Sequence, residues 1–401
     1  MRSATTNIHI YPSPFINESR ILKITKSLSD AAVFERIIIF ATWEEKLSPQ
    51  EQIDDRREVS RIRRNLGGKT GGFLAKVAKT LEWSWKIFRR VRSIEVVCIN
   101  CHSLPVLPLG VFLKRVKKGK LIYDTHELET ETVGLSGIRK RAMKALEKRL
   151  LPFVDEVCVV NESIADWYRK EYGLDQVQVV KNVPYRDFSQ PSETVPITFR
   201  DLFRIPPAHS IFLYQGAISG DRGVNLLLKI FSKVDRSKHI IFMGFGDMVE
   251  AVQSYSEDYP NIHYHPAVNP DKVREYTAAA DVGIHLIENS CLNHYYCLPN
   301  KIWEYLNSGI PVLVTDLYEM GKVVDRYQCG WKCPAEEETA LRLIDQLTAE
   351  EIGRKKIFAA QSKEHFGWDL EEPSLLAMYQ RLGFAADNDQ RRPAGERPDK
   401  N

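Results

Sequence analysis

Residues 297–316, CLPNKIWEYLNSGIPVLVTD, contain the pattern that indicates the fold most clearly. Pro299 can open a helix, because a proline at the first helical position loses no hydrogen bond. Gly309 followed by Pro311 can end that helix and begin a strand. The strand residues are apolar without alternation, so both faces of the strand are expected to be buried. A helix followed directly by such a strand predicts a parallel β-sheet covered by helices.

The same alternation of apolar strands and amphipathic helices extends outward through the chain. In the first half we predict five strands, at 7–12, 35–42, 94–100, 120–126 and 156–161. Five helices are predicted between them, at 19–32, 76–92, 107–117, 138–151 and 163–172. A segment rich in proline and serine, 189–210, indicates a linker. The alternation then restarts, with strands at 211–216, 239–246, 261–266, 282–287 and 311–316 and helices at 338–349 and 372–382.

A chain of 401 residues exceeds the size at which one core keeps growing, so the repeated pattern predicts two domains. We expect a Rossmann-like domain at 1–190 and a second at 191–370, each a doubly wound parallel sheet. A helix at 371–385 is expected to pack back on the first domain. The polar segment 386–401 has the composition of a disordered tail.

Composition and charge narrow the functional classes. The net charge is +3, but residues 1–190 carry about +10 and the remainder about −7. The basic stretches 114–120 and 139–149 are either solvated helix faces or contacts with an anionic membrane surface. They lack interleaved aromatic residues, which argues against nucleic-acid binding. The N-terminus has no export signal, no run is apolar enough to span a membrane, and the seven cysteines are typical of reduced core residues, so we expect a cytoplasmic protein.

The helix beginning near Pro299 carries the clearest candidate site. Its first amide groups and the charge of Lys301 suit a diphosphate, since a helix N-terminus favours anions. Glu304, one turn further, offers two acceptor oxygens for the diol of a ribose. A lysine and a glutamate on a helix are more often surface residues, so this pattern alone is weak.

The segment 297–316 resembles the donor-site signature of the family 4 glycosyltransferases, a retaining group with the GT-B fold, in which two Rossmann-like domains face each other across a cleft. The resemblance implies that Glu304 binds the donor ribose and that the diphosphate contacts the start of the helix, at Leu298, Pro299, Asn300 and Lys301. Many members carry a second glutamate eight residues before the first, where it contacts the donor sugar. This chain has Tyr296 there.

Two further stretches of the second half resemble the same family. LYQGAISGDRGVNLLLKIF, residues 213–231, is similar to its strand followed by a phosphate-binding loop, although Ala217 replaces a frequent arginine. IIFMGFGD, residues 240–247, is similar to its strand and turn beneath the nucleotide base. The donor-binding residues implied by these stretches are Gly216, Gly220, Arg222, Gly223, Gly244 and Gly246.

Two histidines follow buried strands of the first half, His102 in CINCHSLP and His126 in YDTHEL. Singly, each would be a hydrogen-bonded strand-end histidine. Both also resemble family residues near the sugar and the acceptor, which implies a catalytic role for them beside Arg222 and Lys301. Asp124 and Glu127 are expected to orient His126 or the acceptor. The loop after the first strand resembles the acceptor-side loop, through Asn17, Ser19 and Arg20.

The resemblance implies retaining transfer of a sugar from a UDP- or GDP-sugar to a hydroxyl of a glycan or lipid-linked acceptor. The setting we expect is cell-envelope or exopolysaccharide synthesis at the inner face of the membrane. No histidine and carboxylate cluster has metal-site spacing in the sequence, so we expect no metal and no cofactor other than the donor substrate. Two alternatives stay open: a nucleotide-sugar 2-epimerase of the same fold, and a non-catalytic subunit that binds nucleotide-sugar or glycan.

Overall fold

The structure is a computed structural model that describes residues 5–16, 18–65, 72–186 and 199–385. The chain divides into two compact units, Met1–Asn182 with Leu370–Asn401, and Val183–Asp369. The first unit thus ends a few residues before the predicted boundary at 190 and takes up the end of the chain. The predicted tail, 386–401, lies outside the described residues.

The first unit contains an eight-stranded sheet. Its strands are β1 (Thr6–Ile10), β2 (Arg36–Thr42), β3 (Gln50–Gln52), β4 (Arg57–Ile62), β5 (Val96–Cys101), β6 (Lys120–Asp124), β7 (Glu156–Val159) and β8 (Gln178–Val179), in the order β3-β4-β2-β1-β5-β6-β7-β8. All pairs are parallel except β3 with β4. The connecting helices are α1 (Ser19–Asp30), α2 (Phe73–Val91), α3 (Leu107–Lys117), α4 (Gly137–Leu150) and α5 (Glu162–Tyr172). This is the expected doubly wound α/β arrangement, extended at one edge.

The extension at that edge, β3 and β4, was not predicted. β4 has the sequence REVSRI, whose two arginines are typical of an exposed loop. Both are nevertheless buried, because their guanidinium groups donate to a side-chain carboxylate and to backbone carbonyl oxygens. Arg57 Nε donates to Asp54 Oδ2 at 2.7 Å, and Arg61 donates to the carbonyl oxygens of Pro14 and Phe15 at 2.9 and 3.1 Å. A charged strand can therefore join a parallel sheet when its cations are satisfied locally.

The second unit contains a six-stranded sheet that is parallel throughout. Its strands are β9 (Ser210–Ala217), β10 (Lys238–Phe245), β11 (Ile262–Pro266), β12 (Val282–His285), β13 (Val312–Thr315) and β14 (Gly330–Cys333), in the order β11-β10-β9-β12-β13-β14. Its helices are α6 (Phe199–Phe203), α7 (Val224–Phe231), α8 (Val249–Asp258), α9 (Val273–Ala278), α10 (Leu292–Tyr295), α11 (Asn300–Asn307), α12 (Tyr318–Tyr327), α13 (Glu337–Gln346) and α14 (Ala349–Ser362).

Apolar layers cover both faces of this second sheet. Successive residues of β9 alternate between two core clusters, with Ile211 and Leu213 in one and Phe212 and Tyr214 in the other. This is why the strand sequence is apolar without alternation. Part of the predicted linker also belongs to the core, since Phe199 and Ile205 are buried in the first cluster. Residues 187–198 lie outside the described residues.

The last helix, α15 (Trp368–Arg381), matches the helix predicted at 372–382 and belongs to the first unit from Leu370 onward. Its Tyr379 is buried, and the hydroxyl donates to Asn100 Oδ1 of β5 at 2.8 Å. Among the described residues, every helix is too short or too polar to span a bilayer. All seven cysteines are free thiols.

Candidate functional site

The candidate donor site lies where the strands β9, β12 and β13 end in the second unit. Pro299 caps α11 with an extended backbone (φ −62°, ψ 141°), and α11 runs back along the sheet to β13. Glycosidic and nucleotide ligands of parallel sheets bind at this carboxyl edge, where helix N-termini present amide groups. Of the residues expected at the helix start, Leu298 is half-buried against the core and Asn300 is exposed.

Lys301 is the most unusual residue of this edge. Its Nζ is buried, has no hydrogen-bond partner, and lies 3.9 Å from the centroid of the Tyr214 ring. A side chain added at Gly216 would come within 3.9 Å of that nitrogen. Burial and the charge of Arg222, only partly opposed by Glu304, lower the pKa of Lys301 to about 7. A buried ammonium without a counter-ion is costly, which makes Lys301 a candidate contact for an anion.

A chain of hydrogen bonds fixes Glu304. Gln215 Nε2 donates to Glu304 Oε2 at 2.5 Å, and Thr277 Oγ1 donates to Gln215 Oε1 at 2.7 Å. The backbone amide nitrogen of Gln215 also donates to the Tyr305 hydroxyl oxygen at 3.1 Å. The carboxylate is therefore held in one orientation, with acceptor capacity left for a ligand. Thr277 and Gln215 were not singled out in the sequence, because nothing in β9 or α9 marks them as partners of Glu304.

The glycine-rich turns bring the backbone of three strands close together. Gly223 has φ +77°, and a Cβ there would lie 1.6 Å from the Leu286 carbonyl oxygen. At Gly244 a Cβ would lie 1.8 Å from the Gly216 carbonyl oxygen. Only glycine fits such approaches. Gly220 starts a short 3₁₀ turn that ends at Arg222, whose side chain is exposed. Gly246, like Gly244, approaches the backbone of the 216–218 segment.

His285, the last residue of β12, is a further candidate that sequence analysis did not assign. Its ring is fully buried and neither nitrogen has a hydrogen-bond partner. Burial, together with the charges of Lys301 and Arg222, holds its pKa well below the usual value. The signal was available, since a histidine within the apolar run VGIHLI interrupts an otherwise buried strand.

Tyr296, in place of the family's second glutamate, belongs to an aromatic cluster. Its ring centroid lies 5.1 Å from that of Tyr295 and 5.9 Å from that of Tyr318. Tyr318 is 45% exposed and carries Lys322 Nζ 4.1 Å from its ring centroid. The chain thus presents aromatic faces beside the helix start, where the resemblance implied a carboxylate.

The first unit brings its predicted histidines together around one buried ion pair. His102 Nδ1 lies 3.0 Å from Asp124 Oδ2 and 3.2 Å from His126 Nε2. Burial, against the attraction of Asp124, lowers the pKa of His102 to about 4. His102 is 1% exposed, whereas the His126 side chain is 23% exposed. Of the two, His126 is the ring that a ligand can reach.

Arg20 does not face solvent as an acceptor-side residue would. Its Nη2 donates to Asp124 Oδ1 at 2.6 Å, its Nη1 donates to the Val180 carbonyl oxygen at 2.6 Å, and the residue is 3% exposed. Burial alone would lower the pKa of Arg20, but Asp124 raises it above its ordinary value. Arg20 therefore acts on a ligand only by positioning Asp124. Ser19 and Glu127 are exposed, and Asn17 lies outside the described residues.

Two features of this region were missed. The described residues contain a group with metal-ligand spacing, His102, Asp124 and His126, whose donor atoms lie within 4.8 Å of one another. Sequence spacing hid it, because β5 and β6 become neighbours only in the folded sheet. Glu129 was also missed: burial, followed by the charges of Glu127 and Glu147, raises its pKa to about 8.

Comparison with known proteins agrees with this architecture. The family model described as Glycosyltransferase Family 4 matches residues 31–183, and the model described as Glycosyl transferases group 1 matches residues 209–349. Each match falls on one of the two sheets, and together they cover most of the chain.

Two curated relatives are similar over most of their length. A probable glycosyltransferase, WbjE of Pseudomonas aeruginosa, is 21% identical over 290 residues, which are 68% of this chain and 71% of the relative. The chitobiosyldiphosphodolichol beta-mannosyltransferase of Kluyveromyces lactis is 22% identical over 367 residues, 79% of this chain and 78% of the relative.

Solved structures share the whole fold. Sucrose-phosphate synthase from Thermosynechococcus elongatus has a TM-score of 0.77 at 13% identity and covers 94% of this chain and 99% of its own. Anabaena Alr3699/HepE, in complex with UDP and glucose, has a TM-score of 0.67 at 14% identity and covers 94% and 98%. The two family models show that the chain belongs to the family 4 glycosyltransferases, and the two parallel sheets together with these structural matches show the GT-B fold of that family.

Proposed function

We propose that the chain transfers a sugar from a UDP-sugar, or alternatively a GDP-sugar, to a hydroxyl of a glycan or lipid-linked acceptor, with retention of configuration. The observation that carries this proposal is the buried, unpartnered ammonium of Lys301 beside Gly216 at the start of α11. In this arrangement the diphosphate supplies the missing negative charge. The UDP in the Alr3699/HepE complex supports UDP as the first nucleotide to test.

The proposed chemistry follows from where charge develops. As the bond between the anomeric carbon and the diphosphate oxygen breaks, negative charge grows on that phosphate, and Lys301, Arg222 and the α11 amides stabilise it. The acceptor oxygen forms its bond to the anomeric carbon on the same face, and its proton passes to the departing phosphate oxygen. Neither step needs a base from the protein. Glu304 holds the nucleotide by its ribose, with its orientation set by Gln215.

The acceptor is assigned to the first unit, at the partly exposed His126 with Glu127 and Ser19. His102 and Arg20 are positioning residues in this scheme, because both are buried behind His126 and Asp124. The name of the Kluyveromyces lactis relative describes a glycan linked to a lipid through a diphosphate. This supports an acceptor of that class and a role in envelope or exopolysaccharide assembly.

We also propose that the protein attaches peripherally to the cytoplasmic face of an anionic membrane, through fewer basic residues than the sequence indicated. The basic patch on α4 is smaller than the sequence indicated, since Lys140 and Lys144 pair with Glu131 at 2.5 and 2.8 Å. The exposed basic residues of the helix are Arg139, Arg141, Lys148 and Arg149, and Ile138 beside them is 84% exposed.

A donor panel tests the central proposal. Purified protein is incubated with individual UDP- and GDP-sugars, with and without glycan and lipid acceptors, and released nucleotide is measured. Release from one donor is expected, with loss in Lys301→Ala and Glu304→Ala and retention in Lys272→Ala, an exposed lysine outside the site. NMR of the product's anomeric centre then tests retention. Absence of both release and nucleotide binding for every donor would contradict the assignment.

A further inference from the structure

Three donor atoms converge in the first unit where β5 and β6 end. His102 Nδ1 lies 3.0 Å from Asp124 Oδ2 and 3.2 Å from His126 Nε2, and the last two atoms are 3.5 Å apart. With metal–ligand distances of about 2.0–2.1 Å, a tetrahedral site places neighbouring ligand atoms about 3.3 Å apart. The three separations scatter around that value. They match the edges of one face of a coordination tetrahedron.

The direction of the hydrogen bonds behind His102 gives a separate argument. Asn7 Nδ2 donates to the Cys98 carbonyl oxygen at 3.3 Å, so Asn7 Oδ1 is the atom that faces His9 Nε2 at 2.6 Å. An amide oxygen only accepts, so His9 Nε2 carries the proton of a neutral ring. His9 Nδ1 must then accept from His102 Nε2, 2.8 Å away. The proton of a neutral His102 is thereby used on Nε2.

This leaves His102 Nδ1 with a lone pair directed at the Asp124 carboxylate. Two acceptors 3.0 Å apart repel each other unless a cation lies between them. The contacts of Asn100 do not change this assignment of donors and acceptors. Its Oδ1 accepts from the Tyr379 hydroxyl at 2.8 Å, and its Nδ2, 3.4 Å from His9 Nε2, also faces the Ile8 carbonyl oxygen at 3.5 Å.

The missing cation is either a second proton on an imidazole or a metal ion. A buried imidazolium gains little here, because the proton on His102 Nδ1 can be donated fully to only one of two neighbouring atoms, Asp124 Oδ2 at 3.0 Å or His126 Nε2 at 3.2 Å. It would also lose its hydration, since His9 and His102 are both almost fully buried. A metal ion instead gains bonds to three donor atoms that already lie within 3.5 Å of one another.

We propose that His102, Asp124 and His126 bind a divalent transition-metal ion of the zinc type. Two imidazole nitrogens and one carboxylate oxygen form a borderline ligand set that suits Zn²⁺. The second shell is in place: Arg20 Nη2 donates to the other Asp124 oxygen at 2.6 Å while its Nε is 3.1 Å from both oxygens, and His9 contacts the other nitrogen of His102. The fourth position opens on the side of the partly exposed His126 and takes an oxygen ligand such as water or a hydroxyl. This site does not depend on the donor assignment.

Metal binding is tested on the full chain after dialysis against a chelator. Zn²⁺ is titrated by calorimetry, and Co²⁺ is titrated by its visible absorption, which reports tetrahedral coordination. One ion per chain is expected. His126→Ala removes a ligand that is not needed for the core, so it should fold and bind Zn²⁺ at least about 100-fold more weakly. His365→Ala, an exposed histidine of the second unit, should bind like the unaltered chain.

Three results would overturn the proposal. One is the absence of Zn²⁺ and Co²⁺ binding by the unaltered chain. Another is equal affinity in His126→Ala, which would place the ion at other histidines, such as the hydrogen-bonded set His209, His239 and His263. The third is a doubly protonated imidazole in the ¹⁵N spectrum that persists after Zn²⁺ is added. Circular dichroism of each variant separates loss of a ligand from loss of the fold.

Discussion

The pKa of Lys301, about 7, predicts that nucleotide binding depends on pH. In the free protein the ammonium is half deprotonated at that pH. A bound diphosphate lies against the same nitrogen in our proposal, so the ammonium form is favoured and the pKa of Lys301 is raised in the complex. A group whose pKa is higher in the complex contributes binding energy fully below its free pKa. That contribution is lost as the pH rises through 7.

The magnitude follows from the fraction of free protein that carries the proton. That fraction is about one half at pH 7 and about one hundredth at pH 9, so UDP affinity should fall roughly 50-fold, or about 2.3 kcal/mol. Ionisation of the phosphate does not contribute in this range, because its second pKa is about 6. Below about pH 6 the contribution of Lys301 is nearly constant, because its side chain is then almost fully protonated in the free protein.

Calorimetric titration of UDP at pH 7, 8 and 9 and fixed ionic strength measures the effect. Repeating the pH 8 titration in buffers of different ionisation enthalpy should show uptake of nearly one proton. Lys301→Arg is the matched control, since its guanidinium stays charged and should bind with little slope. An affinity independent of pH in the unaltered chain, or the same slope in Lys301→Arg, would refute the reasoning.

Three further predictions concern the residues around the site. Gln215→Leu removes the bond that orients Glu304 and should lower UDP affinity by roughly tenfold, measured by the same titration; unchanged affinity would mean that Glu304 is held otherwise. Gly223→Ala should lower the free energy of unfolding by at least about 2 kcal/mol in urea, because of its φ of +77° and the contact with Leu286. Gly353 lies in a helix, and a Cβ added there would meet no atom within 4 Å. Gly353→Ala should therefore raise the free energy of unfolding by about 1 kcal/mol, and equal effects of the two substitutions would contradict the steric argument. Replacing Arg139, Arg141, Lys148 and Arg149 by glutamate should abolish sedimentation with anionic vesicles, since each basic residue near such a surface contributes about 1 kcal/mol; binding that persists would exclude α4 as the contact.

Much of the fold could be predicted because its strands are apolar on both faces. The helix beginning after Pro299 and the strand after Gly309 could be predicted from local residues alone, and α11 and β13 occupy those positions. β4 was missed because its arginines are satisfied in part by backbone atoms distant in sequence, such as the Pro14 carbonyl oxygen that accepts from Arg61. Such partners are a property of the folded chain.

The residues of the candidate site also divide into those that the local sequence identifies and those that only the fold identifies. Lys301 and Glu304 could be named from the segment that contains them, but Gln215 and Thr277, which fix Glu304, lie far from it in sequence. The contact of His9 with His102 spans 93 residues and depends on β1 pairing with β5 in one register, His9 opposite Asn100. Local patterns therefore identify the groups that meet a ligand, and only the strand order identifies the groups that position them.

Two of the buried cations, Arg20 and Lys301, differ in whether the protein itself balances their charge. Arg20 and Lys301 are both withdrawn from water, yet Arg20 has a carboxylate, a carbonyl oxygen and a thiol within bonding distance, and its pKa rises. Among the described residues, Lys301 Nζ has no hydrogen-bond acceptor and lies against the face of the Tyr214 ring, and its pKa falls. A fold that needed the lysine only for stability would have paired it or replaced it with an apolar residue. Its unpaired state is understandable if the anion arrives with the substrate, which is the role that the proposed function gives to Lys301.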